Sequence, residues 1–450
     1  MPVLKHTPGR PAGWPSANHQ TNRRQKPSRQ HARRLAAAGA GLGLLATAGL
    51  SASAQTAADS PTLADLAKQN QALQQRLDTL EDLVKKEGLT PGGTTTNLVS
   101  AMNKMTISGF VQASYFYDTR RPGDGFIDGY LWNTEDNSFS LNKFKLTVAS
   151  DPVASDKWDA GYRVSLLFGD DAPDLNTGGA FGTGGNTSFN DLREAYVELN
   201  VPIGTGLDVK AGELISLLNW ESGNGGAANP NFSQGNQWWF TGDGPSAGVQ
   251  ATYNFTDKIG LTVRVDNGLF QGPVDVNSGK NFSGSLAFKP TKNLWINLIG
   301  WYESASGGSG SDISGISTIG GFQVTDKLGT GWEVDYFNFS SSANASDLWS
   351  VGGWIWYDFT PKVDLALRAD YVDNRDGLLG PAVRPGAGLP FSPDSDGHLG
   401  SVTLTLNYKP VPNIKIQPEI RYDYTSYSGG LEVNGKKDRI IVGCGVSYLF

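Results

Sequence analysis

The last thirteen residues, 438–450, alternate between apolar and mostly small side chains and end on an aromatic residue. A period of two predicts a β-strand with one apolar face. At the edge of a soluble sheet, such a strand would promote aggregation. In a closed barrel within lipid it would pair with the first strand and leave no edge, so the pattern favours a membrane barrel over an ordinary edge strand. The apolar positions are Ile440, Val442, Cys444, Val446, Tyr448 and Phe450.

The composition is compatible with a barrel and argues against several other classes. Mean hydropathy is only −0.31, but barrels escape such averages because lipid-facing and lumen-facing residues alternate. The single Cys excludes an internal disulfide. Of the four His, only His398 lies beyond residue 54, which argues against a His-based triad or zinc site. The acidic net charge of −7 disfavours nucleic-acid binding. We therefore expect no enzyme activity, no metal and no cofactor.

Residues 1–54 have the parts of a signal peptide. A basic region without acids is followed by an apolar run over 35–50 and by Ala52-Ser53-Ala54, a small-residue cleavage pattern. The apolar run is too short for a comfortable membrane-spanning helix. The mature chain is predicted to begin at Gln55, while the length of the basic region leaves open a start further downstream.

Residues 55–87 are predicted to form a periplasmic coiled-coil helix, followed by a flexible Thr- and Gly-rich linker over 88–103. A strict heptad seam predicts association with identical helices of an oligomer, and a single Asn in it is typical of register control. The alternative is an amphipathic helix lying on its own barrel. The seam consists of Leu63, Asn70, Leu77 and Val84 at a, and Leu66, Leu73 and Leu80 at d.

From residue 104 to the end, the chain repeats the two-residue alternation. In 414–424, for example, Ile420 and Tyr422 oppose Glu419 and Arg421, so that one face suits hydrocarbon and the other carries full charges. A soluble sandwich would also alternate, but would need a second sheet to cover its apolar face. We predict an all-β transmembrane barrel of about sixteen antiparallel strands. The strands are predicted to start near Thr106, Ser138, Trp158, Asn190, Leu207, Ser246, Ile259, Phe282, Leu294, Asp312, Gly329, Leu348, Lys362, His398, Ile414 and Asp438.

The predicted connections alternate in length, with seven short turns and eight long loops. This arrangement is typical of outer-membrane barrels and places both termini on the short-turn side. Sixteen strands would enclose a lumen wide enough for water. Aromatic residues near the strand ends are predicted to form two girdles in the membrane interfaces: Tyr115, Tyr117, Trp158, Phe255, Phe288, Trp349, Phe359, Tyr408, Tyr448 and Phe450.

Three stretches carry a resemblance to bacterial outer-membrane porins, most closely to the OmpL-like β-barrel porins. They are ISGFVQ at 107–112, LREAYVE at 192–198 followed by VKAGE at 209–213, and the closing YLF at 448–450. The resemblance covers about 104–450. It implies a water-filled channel for passive diffusion of small hydrophilic solutes, residence in outer-membrane lipid, and homotrimers. It also implies that Tyr448 and Phe450 are read by the barrel-insertion machinery.

The resemblance further implies that the longest loop, 216–245, folds inward and narrows the channel. Its aromatic and amide side chains would suit sugars, although its Trp residues would equally serve as girdle or packing residues. A slight acidic surplus in the predicted lumen favours a weak cation preference. The loop candidates for the constriction are Trp220, Glu221, Phe232, Trp238, Trp239 and Asp243. The wall candidates are Arg163, Lys210, Arg264, Arg368, Arg421, Glu198, Glu333, Asp335, Asp370 and Glu419.

A second function remains open on the sequence alone. A structural barrel could be plugged by its own loops, tethered through the periplasmic helix, or used for adhesion. Acid-rich loops at 170–174 and 393–397 contain ligands suited to Ca²⁺, although solvated loops are the simpler interpretation.

Overall fold

The computed structural model describes residues 74–76, 78, 104–120, 125–127, 130, 132–152, 156–176, 191–242, 244–269, 278–304, 312–340, 345–374, 396–427, 430–431 and 435–450. The proposed signal peptide, all seven heptad-seam residues and the linker over 88–103 lie outside them. Residues 74–76 and 78 are helical and exposed. None of the described helices is long and apolar enough to cross a bilayer. The chain divides into two units, 1–93 and 94–450, and the second contains all the strands described below.

The second unit is a closed antiparallel barrel of sixteen strands, as predicted. Among its described loop residues are two short α-helices, α1 at Ala172–Leu175 and α2 at Asn236–Phe240. The strands are β1 Thr106–Asp118, β2 Ser138–Ser150, β3 Asp159–Phe168, β4 Leu192–Val201, β5 Leu207–Leu214, β6 Ser246–Asn254, β7 Ile259–Asp266, β8 Asn281–Thr291, β9 Leu294–Glu303, β10 Asp312–Gln323, β11 Leu328–Ser340, β12 Ala345–Thr360, β13 Val363–Asn374, β14 Gly397–Tyr408, β15 Ile414–Thr425 and β16 Asp438–Leu449.

The barrel is closed by the C-terminal strand, which pairs with β1 from Ile441 opposite Asp118 to Leu449 opposite Phe110. The backbone of Phe450 completes the seam, since it donates to the Gly109 carbonyl at 3.0 Å and accepts from the Gly109 amide at 2.9 Å. Every strand therefore has two neighbours, and no edge is left in the sheet.

The two faces of the sheet follow the predicted alternation. On β15, Ile420 and Tyr422 are 47% and 42% exposed, whereas Arg421 between them is 2% exposed. The exposed outer face is apolar and suits lipid, and the inner face carries the polar and charged residues. Seven of the ten predicted girdle aromatics keep more than 40% of their surface exposed on the outside.

The main apolar core lies inside the barrel, at the end where the long loops emerge. Loop residues such as Ile127, Trp132 and Leu175 pack there against inner-wall residues such as Phe337 and Leu348. We call this the loop end of the lumen, and the opposite end, with the short connections, the turn end. The described loop residues in this core therefore lie inside the lumen at the loop end.

Candidate channel and constriction loop

The loop that follows β5, residues 215–245, enters the lumen and contacts the inner wall. It contains the predicted loop 216–245, and we call it the constriction loop after that prediction. Asn219 near its start has a left-handed backbone (φ 78°), a conformation that Asn tolerates better than most residues. The loop then forms a single 3₁₀ turn at Gly225–Ala227 and helix α2. Most of its side chains between 228 and 242 are buried, because the inner wall surrounds them.

Carboxylates of the barrel wall bind the backbone of this loop. Glu333 on β11 accepts a hydrogen bond from the Trp220 amide at 2.9 Å. Glu419 on β15 accepts one from the Phe232 amide, also at 2.9 Å, and a bond from the Ser233 hydroxyl. These hydrogen bonds join the loop backbone to β11 and β15, so they fix the course of the loop.

Cations of the wall bind the loop carbonyls in the same way. Arg368 on β13 donates to the Ser233 carbonyl, Arg421 on β15 to the Gln234 carbonyl, and Lys415 to the Gly226 carbonyl at 2.9 Å. Wall carboxylates and wall cations together satisfy both kinds of backbone group in a segment that has little secondary structure of its own.

Arg368 is the central contact of the loop with the wall. Its guanidinium is fully buried and lies 2.9 Å from Glu221 of the loop and 3.5 Å from Asp370 of its own strand. It also donates to the Thr403 hydroxyl at 2.7 Å. A buried pair of this kind is unfavourable to break, because the remaining charge would be left without a partner.

Helix α2 is held by Asp335 on β11. One oxygen of this carboxylate accepts hydrogen bonds from Gln237 at 2.8 Å, from Thr241 at 2.8 Å and from Ser350 at 2.9 Å. Asp370 accepts a further bond from the first amide of the helix, that of Asn236, at 3.0 Å.

The loop aromatics described by the structure pack the loop rather than line an opening. Trp238 is buried, donates its indole N–H to the Glu221 carbonyl at 2.7 Å and meets Trp132 edge-on at 4.2 Å. Phe232 stacks on Phe116 at 5.6 Å. The side chain of Trp239 and the whole of Asp243 lie outside the described residues. The packing interpretation of these aromatics therefore fits Phe232 and Trp238.

A second loop, 119–137, is fixed to the lumen wall through Tyr130. The guanidiniums of Arg421 and Arg439 lie over its ring, 4.6 and 4.8 Å from the ring centre, and its hydroxyl donates to Asp423 at 2.8 Å. Burial raises the pKa of the Tyr130 hydroxyl well above its ordinary value, so the hydroxyl stays protonated as a donor at neutral pH. Neither Tyr130 nor Arg439 was among the predicted site residues. Arg439 has the parity of the lumen face and was recognisable from that, whereas Tyr130 lies in a loop without any pattern.

Replacing Tyr130 by Ala should release this loop from the wall. Removal of a large buried aromatic side chain costs about 3–5 kcal/mol, and the guanidiniums of Arg421 and Arg439 would lose their contact with the ring. We expect faster trypsin cleavage after Arg120 in the folded, micelle-bound protein. Tyr130→Phe is the matched control, because it keeps the ring and removes only the bond to Asp423. Equal cleavage rates for wild type and Tyr130→Ala would contradict this role.

The constriction loop leaves part of the inner wall uncovered, on β3 to β9. Arg163 lies 3.4 Å from Asp151, and Lys210 lies 3.6 Å from Glu198. Further along this wall, several half-exposed inward residues are uncharged and polar: Gln250, Thr252, Thr262, Ser283 and Asn297.

The predicted wall charges therefore divide into two groups. Three are half-buried on the uncovered wall: Arg163, Lys210 and Glu198. The other seven are buried, most of them in contacts with the constriction loop: Arg264, Arg368, Arg421, Glu333, Asp335, Asp370 and Glu419. Arg264 belongs to the second group because it donates to the Ile215 carbonyl at 2.9 Å. Most of the predicted lumen charges thus hold a loop, and few of them face open space.

Among the described residues, no group of three or more His, Cys, Asp or Glu side chains is arranged to hold a metal ion. Of the two acid-rich loops considered for Ca²⁺, residues 393–395 lie outside the described part of the chain. Asp171 in the other is paired with Lys143 at 2.9 Å.

Solved structures with the same architecture are bacterial outer-membrane proteins. The anion-selective porin from Comamonas acidovorans superposes with a TM-score of 0.54 at 11% identity, covering 77% of this chain and 99% of that one. The trimer form of in-vitro folded OmpT from Vibrio cholerae superposes with a TM-score of 0.50 at 11% identity, with the same two coverages. These identities are too low to show more than a shared fold. No curated protein sequence matches this chain.

The family of the chain is shown by the sequence of the barrel, and not by the likeness to these solved structures. Residues 104–450 match the family model described as "Putative beta-barrel porin-2, OmpL-like", and the match spans all sixteen strands. The chain belongs to this family of outer-membrane porins, and its barrel is a porin channel.

Proposed function

We propose that the channel passes small hydrophilic solutes, ions and sugars, by passive diffusion and without a cofactor. The carrying observation is the uncovered wall of β6, β7 and β9. Its inward residues, such as Thr252, Thr262 and Asn297, are polar and half-exposed. Their neighbours on the outer face, such as Val263 and Leu298, are apolar and exposed. A polar surface of this kind on the inside of a barrel is suited to water.

Single-channel recording in a planar bilayer tests this proposal. Refolded protein should give steady current steps in salt, and the relative permeability of Cl⁻ and K⁺ would follow from the reversal potential in a salt gradient. Sugars added to one side should reduce the current if they enter the channel. If protein that a heat-modifiability gel shows to be folded gave no current steps, a diffusion channel would be contradicted.

A structural barrel is the second candidate, favoured by the apolar core at the loop end. Residues from several loops, including Tyr427 and Leu431, are buried there, and such packing would suit a plug. This function predicts folded protein without conductance, so the same recording distinguishes the two.

We also propose that residues 1–54 are a signal peptide, that the mature chain is a homotrimer, and that the helix over 55–87 lies in the periplasm and joins the three copies. The trimer form of OmpT from Vibrio cholerae supports the assembly by analogy of fold. Light scattering of detergent-solubilised protein, with and without residues 55–103, tests it. A monomeric mass for the longer form would contradict the proposal.

A further inference from the structure

A cavity of about 880 Å³ opens at the turn end of the lumen, beside the uncovered wall. It lies between the β7, β8 and β9 strand ends and away from the constriction loop. The charged, aromatic and amide side chains that line it are Asp257, Lys258, Lys289, Lys292, Trp295 and Asn297.

Trp295 provides an aromatic surface in this cavity. Its indole lies across Gly321 of the neighbouring strand, where a Cβ atom would come within 2.5 Å of the ring nitrogen. The absence of a side chain at Gly321 therefore lets the ring lie close to the wall. Trp295 packs against the apolar core, yet it is only half-buried and also lines the cavity. An aromatic face at a polar, water-accessible position is suited to stacking with the ring of a solute.

Three ammonium groups surround the same space. The Lys289 amide donates to the Lys258 carbonyl at 2.8 Å. Lys292 follows Lys289 by three residues and lies in the turn between β8 and β9. All three side chains are exposed. Within the described part of the chain none of them has an ion-pair partner. Of the described residues that line the cavity, Asp257 alone is acidic, so three cations face one carboxylate and leave a local positive surplus of two.

We propose that this cavity binds small organic anions that carry a sugar ring, such as sugar acids. The lysines would attract the anionic group, Trp295 would stack on the apolar face of the ring, and the Asn297 amide would hydrogen-bond a ring hydroxyl. The inference rests on the proposed channel function and names its solute class. It also moves the aromatic contact for sugars from the constriction loop, where Trp238 is buried, to the turn end of the wall.

The charge distribution agrees with this solute class. The acidic surplus expected from the sequence includes Glu333, Asp335, Asp370 and Glu419, which are buried and engaged by the constriction loop. The lysines of the cavity are exposed at the mouth, where they would raise the local concentration of anions and act less strongly at high salt.

Binding to the refolded barrel in detergent, measured by isothermal titration calorimetry, tests the proposal without any need for current. The probes are D-glucuronate, D-glucose and inorganic phosphate at low salt. We expect glucuronate to bind at least tenfold more tightly than either of the others, because only glucuronate combines the charge with the ring. If glucose bound as tightly as glucuronate, the role of the lysines would be overturned. If phosphate bound as tightly as glucuronate, the stacking of the sugar ring on Trp295 would be overturned.

Substitutions of the residues that line the cavity test whether the binding occurs there. The combined substitution Lys258→Gln, Lys289→Gln and Lys292→Gln should abolish the preference for glucuronate over glucose. Trp295→Ala should weaken the binding of glucuronate at least tenfold and leave the binding of phosphate unchanged. The matched control is Lys327→Gln with Lys362→Gln, which removes two exposed lysines of neighbouring turns that do not line the cavity. A control that loses as much binding as the triple variant would refute the site.

The result is separable from the test of the channel itself. Binding without conductance would contradict the diffusion function and keep the site. Conductance without binding of glucuronate would keep the porin and remove this inference.

Discussion

Arg368→Ala should detach the constriction loop and give larger, noisier current steps than wild type. The substitution leaves Glu221 buried without its cation at 2.9 Å and leaves the Ser233 carbonyl without its donor. Breaking a buried ion pair on one side costs about 3–5 kcal/mol. The loop can avoid this cost by leaving the wall, because Glu221 then becomes hydrated. The sixteen-strand pairing does not depend on the loop, so we expect the barrel to remain folded.

Two variants serve as controls for this effect. Arg368→Lys keeps the charge but lacks the planar fork that reaches Glu221 and Thr403 at once, so it should give an intermediate current. Arg120→Ala removes an exposed guanidinium that pairs with Asp438 at 2.6 Å, a surface contact worth about 0–1 kcal/mol. Arg120→Ala should leave the current unchanged. Steps of wild-type size and noise from Arg368→Ala would show that the loop is held by other contacts.

The fold followed almost completely from the sequence, because a barrel wall is specified by local alternation. A residue next to Arg421, for example, faces lipid whatever the rest of the chain does. All sixteen predicted strand starts lie within three residues of those observed. The largest difference is at β12, which begins at Ala345 instead of near Leu348. Its first residues are small or polar, yet they pair with the end of β11, and no apolar pattern marks them.

The candidate site was only partly predictable, because its contacts join distant parts of the chain. Alternation placed Glu333 and Glu419 on the lumen face, but gave no reason to pair them with Trp220 and Phe232. Those contacts span 113 and 187 residues. The constriction loop has no repeating pattern, so its course depends on the wall around it. The alternation shows which charged residues point into the lumen, and from it alone they are expected to line a water-filled channel. Most of them bind this loop instead.

A second large effect is expected from Val263→Arg, which should strongly destabilise the barrel. Val263 lies at the middle of β7 with 49% of its surface exposed on the outer face, between the exposed residues Leu261 and Val265. An Arg facing lipid near the bilayer midplane costs about 2–4 kcal/mol in an outer-membrane barrel. Urea unfolding in lipid vesicles, monitored by heat-modifiability on gels, should show a lower free energy of unfolding for Val263→Arg than for wild type.

The neighbouring substitution Thr262→Arg provides the matched control. Thr262 belongs to the uncovered wall and faces the lumen, and its hydroxyl lies 3.0 Å from that of Thr252. There the new charge can remain hydrated, so stability should change little while the reversal potential shifts toward anions. A slip of one residue would exchange the two faces of a strand, so this pair also tests the register of β7. If Thr262→Arg were the more damaging of the two, Thr262 would face lipid, and the polar lumen wall that supports the diffusion channel would lose one of its residues.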